Sequence, residues 1–342
     1  MKKEAFLLKY LDEGEWQKWD AFVGESPYGT IFQKSAYLTC LKQVFNRPVE
    51  IMAILHRDTI KAGIVVLPGK KAGISYCTTP FFLPYNGFIL DSFNDSKYYY
   101  QRNKYQNHAL SKLLSEINKR FSYSQFFLHP RFEDERPLVW RKWSIDPRYT
   151  VRVNLQGKTD LLKSVDRDQR RRIRNMEKED FELSESKDPG LLYDMILQSY
   201  RKHAKKPPLQ QRHYLELVSG ILKKGFGEML VLKKADKAVS AVLLVRDEPV
   251  VYALFSGRVM DPNLSGAEIY LFYLVMQRYR GQGYQTLDLL GAMEPAITKT
   301  KLELGGRLVR WDEARYFRNS VIRLLFNITT GWNKKQRKAS VG

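Results

Sequence analysis

The chain has 342 residues, 44% of them hydrophobic and 13% aromatic, which suits one large or two medium cores and excludes a largely disordered chain. Lys and Arg outnumber Asp and Glu by 57 to 37, a formal charge of +20 that favours polyanionic partners such as RNA, anionic lipid head groups or phosphate-bearing substrates. A membrane span is not expected, because no run of about 18 uncharged apolar residues exists. Nor is a signal peptide, because no long apolar stretch follows Lys2-Lys3.

Residues 16–45 read as helix, interrupted by the turn Ser26-Pro27-Tyr28-Gly29. Strands are predicted at 49–55, 62–67, 74–78 and 88–90, a helix at 98–121, and strands at 125–129 and 149–155. The second half repeats this grammar. A basic helix over 159–179 and helices over 189–204 and 211–224 precede strands at 227–233, 238–246 and 250–256. A helix over 266–280 and a strand over 286–290 follow. The last helix is placed near Asp312 as its N-cap, carrying Phe317, Val321, Leu324, Leu325 and Ile328 toward a basic tail of Lys334, Lys335, Arg337 and Lys338. The expected architecture is α/β with mixed sheets, as two similar halves in tandem with a boundary near 150–157.

Two patterns carry chemistry. The first is Leu287-Asp288-Leu289-Leu290-Gly291, a linking segment, then Lys301-Leu302-Glu303-Leu304-Gly305-Gly306. It sets a cation and close-approaching backbone at Gly305 and Gly306 beside a strand end, where open sheets bind ligands. The second is Arg167, Arg170, Arg171 and Arg174, which a helix gathers on one side, opposite Leu162, Val165, Ile173 and Met176. Such a face suits phosphates. A solvated helix pairing with Asp166, Asp168 and Glu177 gives the same pattern.

Other chemistries find little support. Gly281 and Gly283 follow a helix and read as its cap and turn rather than a phosphate loop, which weakens the case for ordinary acetyl-CoA use. His56, His108, His129, His203 and His213 have no metal-ligand spacing, and neither do Cys40 and Cys77. A reduced, cytoplasmic setting is the simplest expectation for so few cysteines.

From about residue 14 to about 318 the chain resembles the FemAB-like group of the GNAT superfamily, whose Fem-type aminoacyltransferases resemble two GNAT-like domains fused in tandem. The resemblance rests on several segments in order. They are Trp19-Asp20-Ala21-Phe22 with Gly29-Thr30-Ile31-Phe32-Gln33, Pro84-Tyr85-Asn86-Gly87, Ser164-Val165 with Arg170-Arg171-Arg172-Ile173-Arg174, and the Asp288–Gly291 and Lys301–Gly306 segments. It implies domains at 1–154 and 155–318, with 319–342 as a helix end and basic tail.

The resemblance also implies an N-acyltransferase that moves an acyl or aminoacyl group onto an amine, with its activated ester or thioester between the halves. Lys301 would steady the oxyanion, although Thr300 precedes it where the family often has an aromatic residue. Asp288 and Glu294 are the candidates for a general base. Lys42, Arg212 and Tyr214 lie where relatives hold an anionic acceptor. No tightly bound cofactor or metal is expected. The donor would be aminoacyl-tRNA or acyl-CoA, and the acceptor amine that of a peptidoglycan precursor. The rivals are a CoA-dependent N-acetyltransferase acting on an amino sugar or small amine, and a non-catalytic protein that binds RNA or an anionic membrane surface.

Overall fold

The computed structural model describes residues 6–80, 82–92, 98–157, 160–202, 206–207 and 209–330. His203 and the basic tail from Lys334 to Lys338 lie outside the described residues.

In chain order the elements begin with β1 (Leu7–Leu11), α1 (Trp16–Glu25), α2 (Ser35–Phe45), β2 (Glu50–His56), β3 (Thr59–Val66), β4 (Pro68–Lys71) and β5 (Ile74–Cys77). There follow β6 (Ile89–Leu90), α3 (Tyr99–Arg120), β7 (Tyr123–Phe127), α4 (Arg136–Trp140), β8 (Ser144–Asn154), α5 (Leu161–Ser164), α6 (Arg167–Met176) and β9 (Phe181–Glu185). The rest are α7 (Pro189–Lys202), α8 (Gln211–Lys223), β10 (Gly227–Lys234), β11 (Lys237–Asp247), β12 (Val250–Arg258), α9 (Ala267–Gly281), β13 (Thr286–Asp288), α10 (Pro295–Glu303), β14 (Arg307–Phe317) and α11 (Ser320–Thr330).

Three expectations are corrected. The helix placed at Asp312 is strand β14, and the last helix starts only at Ser320. Asp312, Glu313 and Arg315 are buried. Gln125 Nε2 donates to Glu313 Oε1 at 2.6 Å, and Arg315 pairs with Asp146. Tertiary partners thus satisfy charges that alone suggest a solvated helix start. The basic helix over 159–179 is two helices, because Asp160 and Asp166 each cap a separate start, accepting from the backbone N–H of Leu162 and Asp168. The linking segment ahead of Gly305 is itself helix α10.

By its internal contacts the described chain forms two compact units. One draws on Met1–Ser35, Arg47–Pro147 and Asp312–Gly342, the other on Ala36–Asn46 and Arg148–Trp311. The first holds a four-stranded antiparallel sheet in the order β1-β2-β3-β6 and the strand order β4-β5-β7-β14. Helix α3 buries Ala109, Leu110, Leu113, Leu114 and Ile117 in the core formed with Met52, Ile54 and Ile64. The second holds the order β8-β13-β12-β11-β10-β9, with α9 buried almost all round against Val242, Leu244 and Val251.

Both units are mixed in the same way. Each has one parallel pair among antiparallel neighbours, β5 with β7 in the first and β12 with β13 in the second. The two α/β units thus share one sheet arrangement.

Candidate active site

The two parallel pairs end differently. In the first unit β5 and β7 pair only at Tyr76↔Tyr123 and Cys77↔Ser124. Beyond that the chain plugs the gap. Thr79 Oγ1 donates to the Gln125 carbonyl at 2.9 Å and to Asn86 Oδ1 at 2.7 Å, and Asn86 Oδ1 also accepts the Phe127 N–H at 3.1 Å. Gly87 N–H reaches the Phe127 carbonyl at 2.8 Å, where an added Cβ would stand 2.9 Å from Phe127 O. The Pro84-Tyr85-Asn86-Gly87 motif is therefore the stopper of this gap.

In the second unit β12 and β13 pair from Val250↔Thr286 to Tyr252↔Asp288 and then part. The chain after β13 follows β8 instead, with Leu289 N–H on the Val151 carbonyl and Ala292 N–H on that of Tyr149, both at 2.9 Å. Strand β12 runs on to Arg258, and a bulge opposite Leu243 and Leu244 leaves Leu254 as its extra residue. Among the described residues no stopper bonds to the Ala253–Arg258 edge that faces the gap. Parting strands leave backbone donors and acceptors for an extended ligand, and bulges re-aim strands beside active sites.

Asp288 and Lys301 shape the end of this gap. Asp288 is fully buried at the last residue of β13. Its Oδ1 accepts from Thr150 Oγ1 at 2.6 Å and Leu290 N at 3.0 Å, and its Oδ2 from Arg152 Nε at 2.8 Å. The backbone then turns through two left-handed residues, Leu290 (φ 49°) and Gly291 (φ 52°). This turns three carbonyls onto one point, and Lys301, in the last turn of α10, fills it. Its Nζ donates to Leu289 O at 2.8 Å, to Gly291 O at 2.7 Å and to Leu290 O. Burial lowers the Lys301 pKa from the usual 10.5 to about 8, while Asp288 and Glu268 pull it back up.

Gly305 and Gly306 set α10 in place rather than opening a cradle. Gly305 has φ +84°, and a Cβ there would meet Ser164 Oγ at 2.7 Å; one on Gly306 would meet Val151 Cγ1 at 2.2 Å. Glu294, at the N-cap position of α10, is exposed.

The sequence reading missed Glu268. It lies in the first turn of α9, accepts from Ser256 Oγ of β12 at 3.1 Å and faces Arg258 Nε at 3.8 Å. Its charge acts to raise the Lys301 pKa, less than that of Asp288 does. An acid in the turn after a strand was the available signal, and it names no partner by itself. Tyr214 reaches the same strand, with its ring 4.9 Å from that of Phe255. Burial pushes its hydroxyl pKa up, and that oxygen has no hydrogen-bond partner among the described residues. The other two candidate acceptor contacts are exposed: Lys42 in the last turn of α2, and Arg212, which pairs with Glu216 at 2.7 Å.

Helix α6 joins α10 through Glu303, whose carbonyl accepts the Asp166 N–H at 2.8 Å and whose carboxylate takes Gln169 Nε2 at 2.7 Å. Arg167, Arg171 and Arg174 are exposed on it. Arg170 is turned inward, donating to the Val165 carbonyl at 3.0 Å, and so ties α6 to the end of α5. The arginine face thus presents three of its four members. Among the described residues no group of His, Cys, Asp or Glu could hold a metal ion.

Residues 163–296, which contain the parting strands, match the family described as acetyltransferase (GNAT) domain. The whole chain is similar in fold to the crystal structure of FemX, with a TM-score of 0.68 at 14% identity over 89% of this chain and 96% of that one. It is also similar to L-PGS from Bacillus licheniformis, at 0.55 and 14% over 92% and 96%. A tandem GNAT protein from the clavulanic acid biosynthesis pathway gives 0.52 and 8% over 92% and 99%. No curated protein is matched by the sequence. The GNAT match is thus to residues 163–296, and the likeness over the rest of the chain is one of fold.

Proposed function

We propose that the chain transfers an aminoacyl group from an activated ester onto an amine, at the gap between β12 and β13. The observation that carries this reading is the parting of those strands with the Lys301 ammonium held at the end of the gap. The donor carbonyl lies along the open edge of β12. The amine attacks it, a C–N bond forms, and the oxyanion replaces one carbonyl as an acceptor of Lys301. The C–O ester bond then breaks, and the leaving oxygen takes the amine's proton. Asp288 acts by holding Arg152, Thr150 and the Leu290 turn, which aims the carbonyls that orient Lys301. Glu268, whose charge acts on Lys301, is the candidate to take the first proton from an acceptor that arrives as an ammonium, the second passing to the leaving oxygen.

Aminoacyl-tRNA suits the donor side. Arg167, Arg171 and Arg174 offer a sequence-independent phosphate contact on a helix bonded to α10. A peptidoglycan-precursor amine, or another amine carried by an anionic acceptor, suits Lys42, Arg212 and Tyr214. Acyl-CoA is the second reading, favoured by the acetyltransferase description of the matched family. Against it stands Glu268, because a carboxylate already occupies the first turn of the helix that follows β12, where a pyrophosphate would need positive potential.

The test is transfer from charged tRNA to a cell-wall precursor amine by the wild type and by Lys301→Ala, beside thermal unfolding with acetyl-CoA. Transfer that vanishes in the variant supports the reading. Saturating acetyl-CoA at 100 times its dissociation constant would add about 2.7 kcal/mol to stability. A clear rise in Tm without tRNA-dependent transfer overturns the donor assignment.

A further inference from the structure

Helix α11 is built to present an apolar face outward. Arg318 fixes its root, donating to the Lys119 carbonyl at 2.7 Å at the end of α3, and Asn319 Oδ1 accepts the Ile322 N–H at 2.9 Å. Phe326 anchors one side, 4.5 Å from the ring of Tyr123 and 5.5 Å from that of Phe317. Turned away from that anchor, Val321, Leu324 and Leu325 stand at i, i+3 and i+4 and are 61%, 60% and 44% exposed. Three large apolar side chains in water on one face of an anchored helix ask for a cover.

Charge identifies the cover. From Arg318 to Gly342 the sequence has no Asp or Glu, but carries Arg318, Arg323, Lys334, Lys335, Arg337 and Lys338 with Trp332 among them. The chain as a whole is at +20. An apolar helix face flanked by a run of cations and an indole is the composition that lies in the head-group layer of an anionic bilayer. A second copy of the chain fits poorly. Equal strong charges would repel, and one three-residue stripe is far below the roughly 800 Å² per partner of a stable dimer.

We infer that α11 docks the protein on an anionic membrane surface, with Val321, Leu324 and Leu325 inserted among the lipid head groups. This goes beyond the transfer reaction proposed above and stands without it.

The test is co-sedimentation of the full-length protein with vesicles of phosphatidylglycerol and phosphatidylcholine, and with vesicles of phosphatidylcholine alone. The wild type is expected on the mixed vesicles and at least tenfold less on the neutral ones. Val321→Glu with Leu324→Glu should lower binding to the mixed vesicles at least tenfold and leave Tm unchanged, since neither residue is buried. Failure of the wild type to bind, or equal binding by the double variant, overturns the proposal. So does a wild-type dimer in solution that the double variant makes monomeric, because the cover is then a second copy.

Discussion

The Lys301 ammonium donates to the Leu289 carbonyl 2.8 Å away, across twelve residues, at the point where β13 has just left β12. The same nitrogen also holds Leu290 and Gly291, so one side chain fixes the shape of the gap and supplies its charge. Lys301→Ala should lower the transfer rate by about 10²–10³, the loss seen when one oxyanion donor is removed. It should also cost about 1–2 kcal/mol of stability, because three carbonyls lose a charged donor. Lys301→Met, which refills the volume, should leave the rate loss in place. Recovery of turnover in the methionine variant would mean that Lys301 only props the loop.

The depressed Lys301 pKa sets two pH dependences of opposite sign. The ammonium is present below about pH 8 and lost above it, so the rate should fall through that value as pH rises. Stability should do the reverse. The unfolded chain holds the proton more tightly, so this group weakens folding below about pH 8, and the penalty lifts between there and 10.5. A pH–rate profile beside urea midpoints at pH 7 and 9.5 checks both. The descending limb should be absent from residual Lys301→Ala activity.

Asp288→Ala should be mainly a stability variant. The carboxylate is fully buried, and Arg152, with a side chain 19% exposed, would lose its Nε bond to Asp288. Breaking such a pair costs about 3–5 kcal/mol. Urea unfolding reads this directly. A wild-type midpoint together with lost turnover would return Asp288 to the role of general base.

Gly305→Ala should destabilise by more than about 1 kcal/mol, since the residue has φ +84° and Ser164 fills the space beside it. The expected result is a lower Tm with unchanged turnover at a temperature where the variant is folded. A change in KM at full stability would instead mean that the glycine touches substrate.

The arginine face makes a quantitative prediction for nucleic acid. Arg171→Gln with Arg174→Gln should weaken tRNA binding and reduce the slope of log K against log salt by about 1–2, since each neutralised phosphate contributes about 0.7–0.9. Arg170→Gln should change Tm more than that slope, because its guanidinium bonds to the end of α5. An unchanged slope in the double variant would place the polyanion elsewhere.

The sequence shows most of the repeated α/β grammar because its signals there are local. Apolar alternation marks β8, near-continuous apolar runs mark β11 and β12, and apolar stripes mark α3 and α8. Strand β14 was illegible because its middle is Asp312, Glu313 and Arg315, which belong in a core only once Asp146 and Gln125 stand opposite. Of the candidate site proposed above, Lys301 and Asp288 stand out in the sequence, in a marked strand–glycine–lysine pattern. The candidate site was illegible at Glu268, whose meaning depends on Ser256 of another element reaching it and on its charge acting on Lys301. Gly305 and Gly306 were visible as glycines, but their neighbours Ser164 and Val151 were not.

Strand β14 pairs with β7 from Glu313↔Phe127 to Phe317↔Tyr123, so the first unit is completed by a segment near the end of the chain. Helix α2, made early, is counted in the second unit. On the ribosome, then, neither unit can close in the order in which it is translated. The early unit must wait, one edge of β7 unpaired, until residues 313–317 have been made. A nascent chain stalled anywhere before residue 312 would expose that edge to other strands, and a gene cut at its midpoint would not yield two folding halves.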